Sequence, residues 1–103
     1  MIGELVEFRV SEGVTAEQVM EEARASLRRW QGWPKLIRKH YLYNDDGSCG
    51  GFYLWENKEA AKEAHNKEWQ DQVELRTGSR PTFKYFTVNM LLDNVADTVV
   101  ENP

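Results

Sequence analysis

The sequence predicts an α+β fold built on a four-stranded antiparallel sheet, and three observations predict it. Four stretches carry the period-two alternation or the branched and aromatic enrichment of strands, and two others carry helical periodicity. Their order is strand, helix, strand, strand, helix, strand, which is the ferredoxin-like split βαβ arrangement. At 103 residues the chain reads as a single domain, residues 1–103, with 92–103 as a C-terminal extension.

The first strand runs from Glu4 to Val10, where Val6, Phe8 and Val10 alternate with Leu5, Glu7 and Arg9. A glycine turn follows, and Thr15 with Gln18 three residues on forms a capping box that opens the first helix. Val19, Met20, Ala23, Leu27 and Trp30 give this helix one apolar stripe, Arg28 and Arg29 suit its negative end, and Gly32 and Pro34 stop it. "KLIRKHYLY", Lys35 to Tyr43, then runs through the turn formers "NDDGS" into Gly50 to Trp55, which reads as a β-hairpin. Asn57 is placed to cap a second helix from about Lys58 to Leu75, with Ala61, Ala64, His65, Trp69 and Val73 inward. "TGSRP" breaks that helix, and a last strand covers Thr82 to about Leu91.

Composition excludes several function classes. The net charge of −4 gives no general attraction to phosphate backbones or anionic lipid, so nucleic acid is not an expected partner. No window approaches the ~18 apolar residues of a membrane span, and the N-terminus lacks a signal-like apolar run. Cys49 is the only cysteine, so an intrachain disulfide is impossible and a reducing cytoplasm is the expected compartment. Two histidines, His40 and His65, without ligand spacing predict no metal site.

Two helices cover one face of a four-stranded sheet, so the other face should be polar in an isolated domain. Here both faces are apolar. Phe52, Leu54, Phe86 and Val88, matched with Val6 and Phe8, are expected in the helix-covered core. Lys39, Tyr41, Tyr43, Tyr53, Trp55 and Tyr85, with Glu7 and Arg9, are expected on the open face. A second copy packed sheet to sheet would hide that face, giving a homodimeric α+β barrel with an aromatic cavity.

"LIRKHYL", "GGFYLWENKEAAKEA", "EWQDQV" and "YFTVNMLLDN" together resemble the YdhR-like monooxygenase family, a branch of the dimeric α+β barrel superfamily; the likeness spans about Gly32 to Asn94. The resemblance implies a homodimer with a cavity in each subunit and an oxygenase that needs no cofactor. A phenol or quinol, once deprotonated, passes an electron directly to dioxygen, so such a site needs a base, an anion-stabilising group and a dry wall. A haem-degrading branch uses a Trp and a His where this chain has Ala64 and Glu74, which argues against haem.

The candidate catalytic residues are Lys39 and Arg9, for stabilising a phenolate or an oxygen-derived anion, and His65 as a reserve base. Tyr41, Tyr53, Trp55 and Tyr85 are the candidate substrate-binding wall, and Gly51 leaves room beside it. Each has a structural alternative. Lys39 on a rim strand would snorkel to water, the rings would be dimer packing, and the glycines would serve a bulge. The rival function is a non-catalytic small-molecule-binding or stress-linked module using the same pocket.

Overall fold

A computed structural model of the chain describes residues 1–101. Among them are three helices, a four-stranded antiparallel sheet and a small two-stranded sheet. In chain order the elements are β1 (Ile2–Arg9), α1 (Ala16–Trp30), β2 (Leu36–Tyr43), β3 (Ser48–Trp55), α2 (Lys58–Ala64), α3 (Lys67–Thr77), β4 (Thr82–Thr87), β5 (Met90–Asp93) and β6 (Thr98–Glu101). The large sheet has the order β2-β3-β1-β4, so the first strand lies in the middle. No helix among the described residues is long and apolar enough to cross a membrane.

Local chemistry sets the helix ends. Thr15 and Gln18 form both halves of the capping box, with Thr15 Oγ1 accepting from the Gln18 amide and Gln18 Oε1 from the Thr15 amide. Asn57 caps α2 by accepting from the Ala60 amide. The expected single helix from Lys58 to Leu75 is interrupted at His65 and Asn66. Asn66 starts a new helix by capping the Trp69 amide at 3.0 Å, and His65 leaves helical geometry while its ring is held in the core. Gly78, in the left-handed conformation at φ 77°, ends α3.

The expected division of the sheet faces holds on β1 but is reversed on β2, β3 and β4, and strand register is the reason. Along β1 and β3 each pair of partners sums to an odd number, as in Glu4 with Tyr53 and Ile2 with Trp55. Even positions of β1 therefore share a face with odd positions of β3, and the same holds for β4, where Glu4 meets Tyr85 and Val6 meets Phe83. Between β2 and β3, odd meets odd, as in Lys39 with Tyr53. One face thus carries Ile2, Glu4, Val6, Phe8, Lys39, Tyr41, Tyr53, Trp55, Phe83 and Tyr85, and this is the face the helices cover. Trp30 of α1 and Ala61 and Ala64 of α2 join Val6, Tyr53 and Trp55 in the buried core, with Trp69 of α3 against it. Phe52, Leu54 and Phe86, expected inside, lie on the helix-free face with Leu5, Glu7 and Arg9.

That second face is only partly covered. The chain leaves β4 at Thr87, earlier than expected, and β5 brings Asp93 to within 3.6 Å of Arg38 on the β2 edge. Leu54 is buried, but Phe86 is half exposed and Leu42 stands open to solvent. The β5–β6 hairpin starts at Met90, inside the expected last strand, and runs into the C-terminal extension, whose last two residues, 102–103, lie outside the described residues.

Candidate functional site

Gly50 and Gly51 shape the start of β3 for different reasons. Gly50 has φ +148°, and a Cβ there would stand 1.9 Å from the Val6 carbonyl oxygen, so β1 and β3 approach as only glycine permits. At Gly51 a Cβ would meet the Tyr53 ring at 2.9 Å and Lys39 Cε at 3.3 Å. The bare backbone there lets Tyr53 and the Lys39 stem lie across the strand.

Above them, between α1, α3 and the sheet, is a cavity of about 1030 Å³. Its wall includes Trp30, Tyr41, Tyr53, Trp69 and the cations Lys39 and Arg29. The volume is ample for a small organic ligand; the rings cluster around Lys39, while the α1 side is aliphatic and its mouth carries charged groups that include Glu21, Glu22 and Arg76. The cavity exists because α1 stands away from the sheet. Of its predicted stripe only Trp30 is buried; Val19 and Ala23 are partly covered, and Met20 and Leu27 are nearly half exposed.

Lys39 is the central polar group of this wall. Its Nζ lies 4.0 Å from the Tyr41 ring centroid, 4.8 Å from Tyr53 and 4.9 Å from Trp30. Burial, followed by repulsion from Arg29, lowers its pKa to about 7. The three rings act the other way, since an ammonium is attracted to their faces. Lys39 therefore stands near the balance between ammonium and free amine at neutral pH. Beside it the Ser26 and Tyr41 hydroxyls are 2.6 Å apart.

Behind the Tyr53, Trp30 and Trp69 rings lies a second polar group that sequence reasoning missed. Glu4 is fully buried, and its Oε1 accepts from Trp55 Nε1–H at 2.9 Å and from His65 Nδ1 at 2.9 Å. Both nitrogens are donors toward the carboxylate, so a neutral His65 keeps Nε2 as an acceptor. Among the described residues His65 Nε2 is buried with no hydrogen-bond partner, while the second Glu4 oxygen makes no close hydrogen bond and has the Tyr85 hydroxyl as its polar neighbour. Burial lowers the His65 pKa more than the Glu4 hydrogen bond and charge raise it, and Lys39 and Arg29 lower it further. The imidazole is neutral at pH 7, packed 4.3 Å from the Trp69 ring and 4.6 Å from Tyr53.

The predicted site residues divide into three groups. Lys39, Tyr41 and Tyr53 converge on the cavity, with Gly51 beneath them. His65 and Trp55 belong to the buried Glu4 cluster rather than to the cavity wall, and Tyr85 stands on the far side of Glu4 under Lys58 and Lys62. Arg9 is not at the site. It faces the helix-free side and donates to the Asp46 carbonyl of the hairpin turn. Arg29, on the cavity wall with its guanidinium 5.1 Å from the Trp30 ring, is the second cation instead.

Burial raises the pKa of Tyr53, and Glu4 and Tyr41 raise it further; burial and then Glu4 do the same for Tyr85. Both remain neutral phenols and do not act as bases. Cys49 is buried with its thiol pKa pushed up by burial, so it is an inert filler. Among the described residues no group of three His, Cys, Asp or Glu side chains is arranged to hold a metal ion.

Neither a scan against protein-family models nor a search of curated proteins finds a match for this chain.

Proposed function

We propose that the chain is a ferredoxin-like domain of the dimeric α+β barrel type that binds a small phenol or quinol in the cavity under α1 and oxygenates it without a cofactor. The strand order β2-β3-β1-β4, with all three helices on one face, supports the fold. The half-exposed Phe86 and the exposed Leu42 on the other face support pairing with a second copy through that face, which leaves each subunit its own cavity. The buried free Cys49 suits a reducing cytoplasm.

One observation carries the chemistry: an amine that titrates near neutrality stands in an aromatic wall with a second cation close by. Lys39 takes the proton of the substrate hydroxyl, its own pKa lying near working pH as an efficient base requires. Arg29 takes the anion-stabilising role expected of Arg9. The quinol anion gives electrons to dioxygen, one oxygen atom joins the ring and the other leaves as water, so quinol plus O₂ yields hydroxyquinone plus water.

Oxygen uptake over a panel of hydroquinones and polyphenols tests this reading. Lys39→Ala should lower turnover about 100-fold, the size of a lost general base. Tyr53→Phe keeps the ring and should lower it far less. Uptake no faster than buffer with every compound removes the oxygenase reading. A ligand-dependent rise in melting temperature would then identify the rival, a module that binds without turnover.

A further inference from the structure

We propose that Lys39 is also a nucleophile, capturing an aromatic aldehyde that enters the cavity as a covalent imine. The inference needs only the cavity and the amine, and stands whether or not oxygen chemistry occurs. Three features of the site carry it. Lys39 lies midway along the edge strand β2, yet its stem crosses the bare backbone of Gly51 and brings Nζ to the cavity wall among the rings instead of out to water. Three rings stand within 5 Å of Nζ, so a flat aromatic ligand finds stacking partners that hold its carbonyl beside the amine. The Ser26–Tyr41 hydroxyl pair shares that wall and can supply and take back the proton that imine formation moves.

The step balances without an oxidant or reductant. The Nζ lone pair attacks the carbonyl carbon and the C=O π electrons move to oxygen. Proton transfer from nitrogen to oxygen gives the carbinolamine, whose C–O bond breaks to release water as the C=N bond forms. Amine plus aldehyde gives imine plus water. Burial and Arg29 oppose the positive charge at this position, so exchanging an ammonium for a neutral imine relieves that opposition. Arg29 also favours an aldehyde with an acidic hydroxyl on the ring, because a phenolate can pair with its guanidinium.

Reductive trapping reads this directly. The full chain is incubated with 4-hydroxybenzaldehyde and sodium cyanoborohydride at pH 7, and adducts are mapped by peptide mass spectrometry. At that pH an amine titrating near 7 is about half in its free form, against about one part in 2,500 for an ordinary lysine. Allowing for the lower nucleophilicity of the weaker base, Lys39 should label roughly tenfold or more faster than Lys35, Lys58, Lys62, Lys67 or Lys84. The α-amino group, which titrates low in any chain, is scored separately. The preference should vanish in urea, and Lys39→Arg should lose the adduct while retaining the wild-type circular dichroism.

The proposal is overturned if Lys39 stays unlabelled, labels no faster than the surface lysines, or keeps its preference after unfolding. Trapping at Lys39 without oxygen uptake keeps the aldehyde site and discards the oxygenase; uptake without trapping does the reverse.

Discussion

Replacing Glu4 by leucine tests the least conspicuous feature of the core. The carboxylate accepts from Trp55 Nε1–H and His65 Nδ1 through one oxygen, and all three groups are buried. Glu4→Leu leaves two buried donors unpaired, at about 1–3 kcal/mol each. Removing a buried charge offsets part of that loss, so the net destabilisation should be roughly 2–4 kcal/mol. Glu4→Gln keeps an acceptor oxygen and should lose less. In equilibrium urea unfolding followed by far-UV circular dichroism, the leucine variant should lower the midpoint by about 1–3 M with m unchanged. Combining it with His65→Leu should recover about 1–3 kcal/mol relative to the sum of the single changes, because the partners interact directly.

The pH dependence supplies an independent sign. The folded pKa of His65 lies below its ordinary value of 6.5, so below that pH the unfolded chain binds the proton that the folded one refuses. Its contribution is thus intact above pH 6.5 and is lost as pH falls below it, and His65→Leu should flatten that part of the stability profile. A leucine variant at position 4 that unfolds at the wild-type midpoint would refute the buried network.

Two further predictions concern backbone approach and the open face. Gly50→Ala forces a Cβ onto the Val6 carbonyl and should lower stability by several kcal/mol, read as a melting temperature depressed by roughly 15 °C or more. Gly51→Ala meets the packed Tyr53 ring at 2.9 Å, the His40 carbonyl oxygen at 3.2 Å and the Lys39 stem at 3.3 Å, a looser fit than at Gly50, so it should lower stability by about 1–3 kcal/mol while weakening aromatic ligands in calorimetry. If the two substitutions prove equally mild, the account of the β3 start is wrong. Phe86→Glu places a charge on the helix-free face and should convert a dimer to a monomer in sedimentation at micromolar concentration. A wild-type chain that already sediments as a monomer removes the pairing.

Much of this architecture was legible in the sequence because it rests on local rules. The alternation of β1, the Thr15–Gln18 box, the Asn57 cap and the Asn44–Gly47 turn each declare themselves within a few residues. The relation between strands does not. Whether even positions of one strand share a face with even or odd positions of the next depends on register, and one residue of shift turns every side chain over. That shift exchanged Phe52, Leu54 and Phe86 for Tyr53, Trp55 and Tyr85 between the two faces. Lys39 and Tyr53 were correctly grouped because their strands form one hairpin. Arg9 was grouped with them across the register error.

Glu4 carried a signal that only the structure makes readable: it shares the parity of Val6 and Phe8, which point inward. A carboxylate at such a position calls for donors, and Trp55 and His65 are far away in sequence. The split of the second helix follows from the same partnership, since His65 turns its ring to Glu4 where a continuous helix was expected and Asn66 restarts the spiral.

Because the one buried side chain of α1 is the Trp30 indole at its C-terminal end, with the Ser26–Tyr41 hydroxyl contact next to it and a surface Glu22–Arg76 ion pair beyond, the helix is tied more firmly at that end than at the Thr15 end. The end near Trp30 is a pivot, and the Thr15 end, with few apolar contacts to break, yields at little energetic expense. The chamber beneath is consequently bounded on its Thr15 side by a wall with few apolar contacts, where widening it for a larger guest costs least and leaves the sheet untouched.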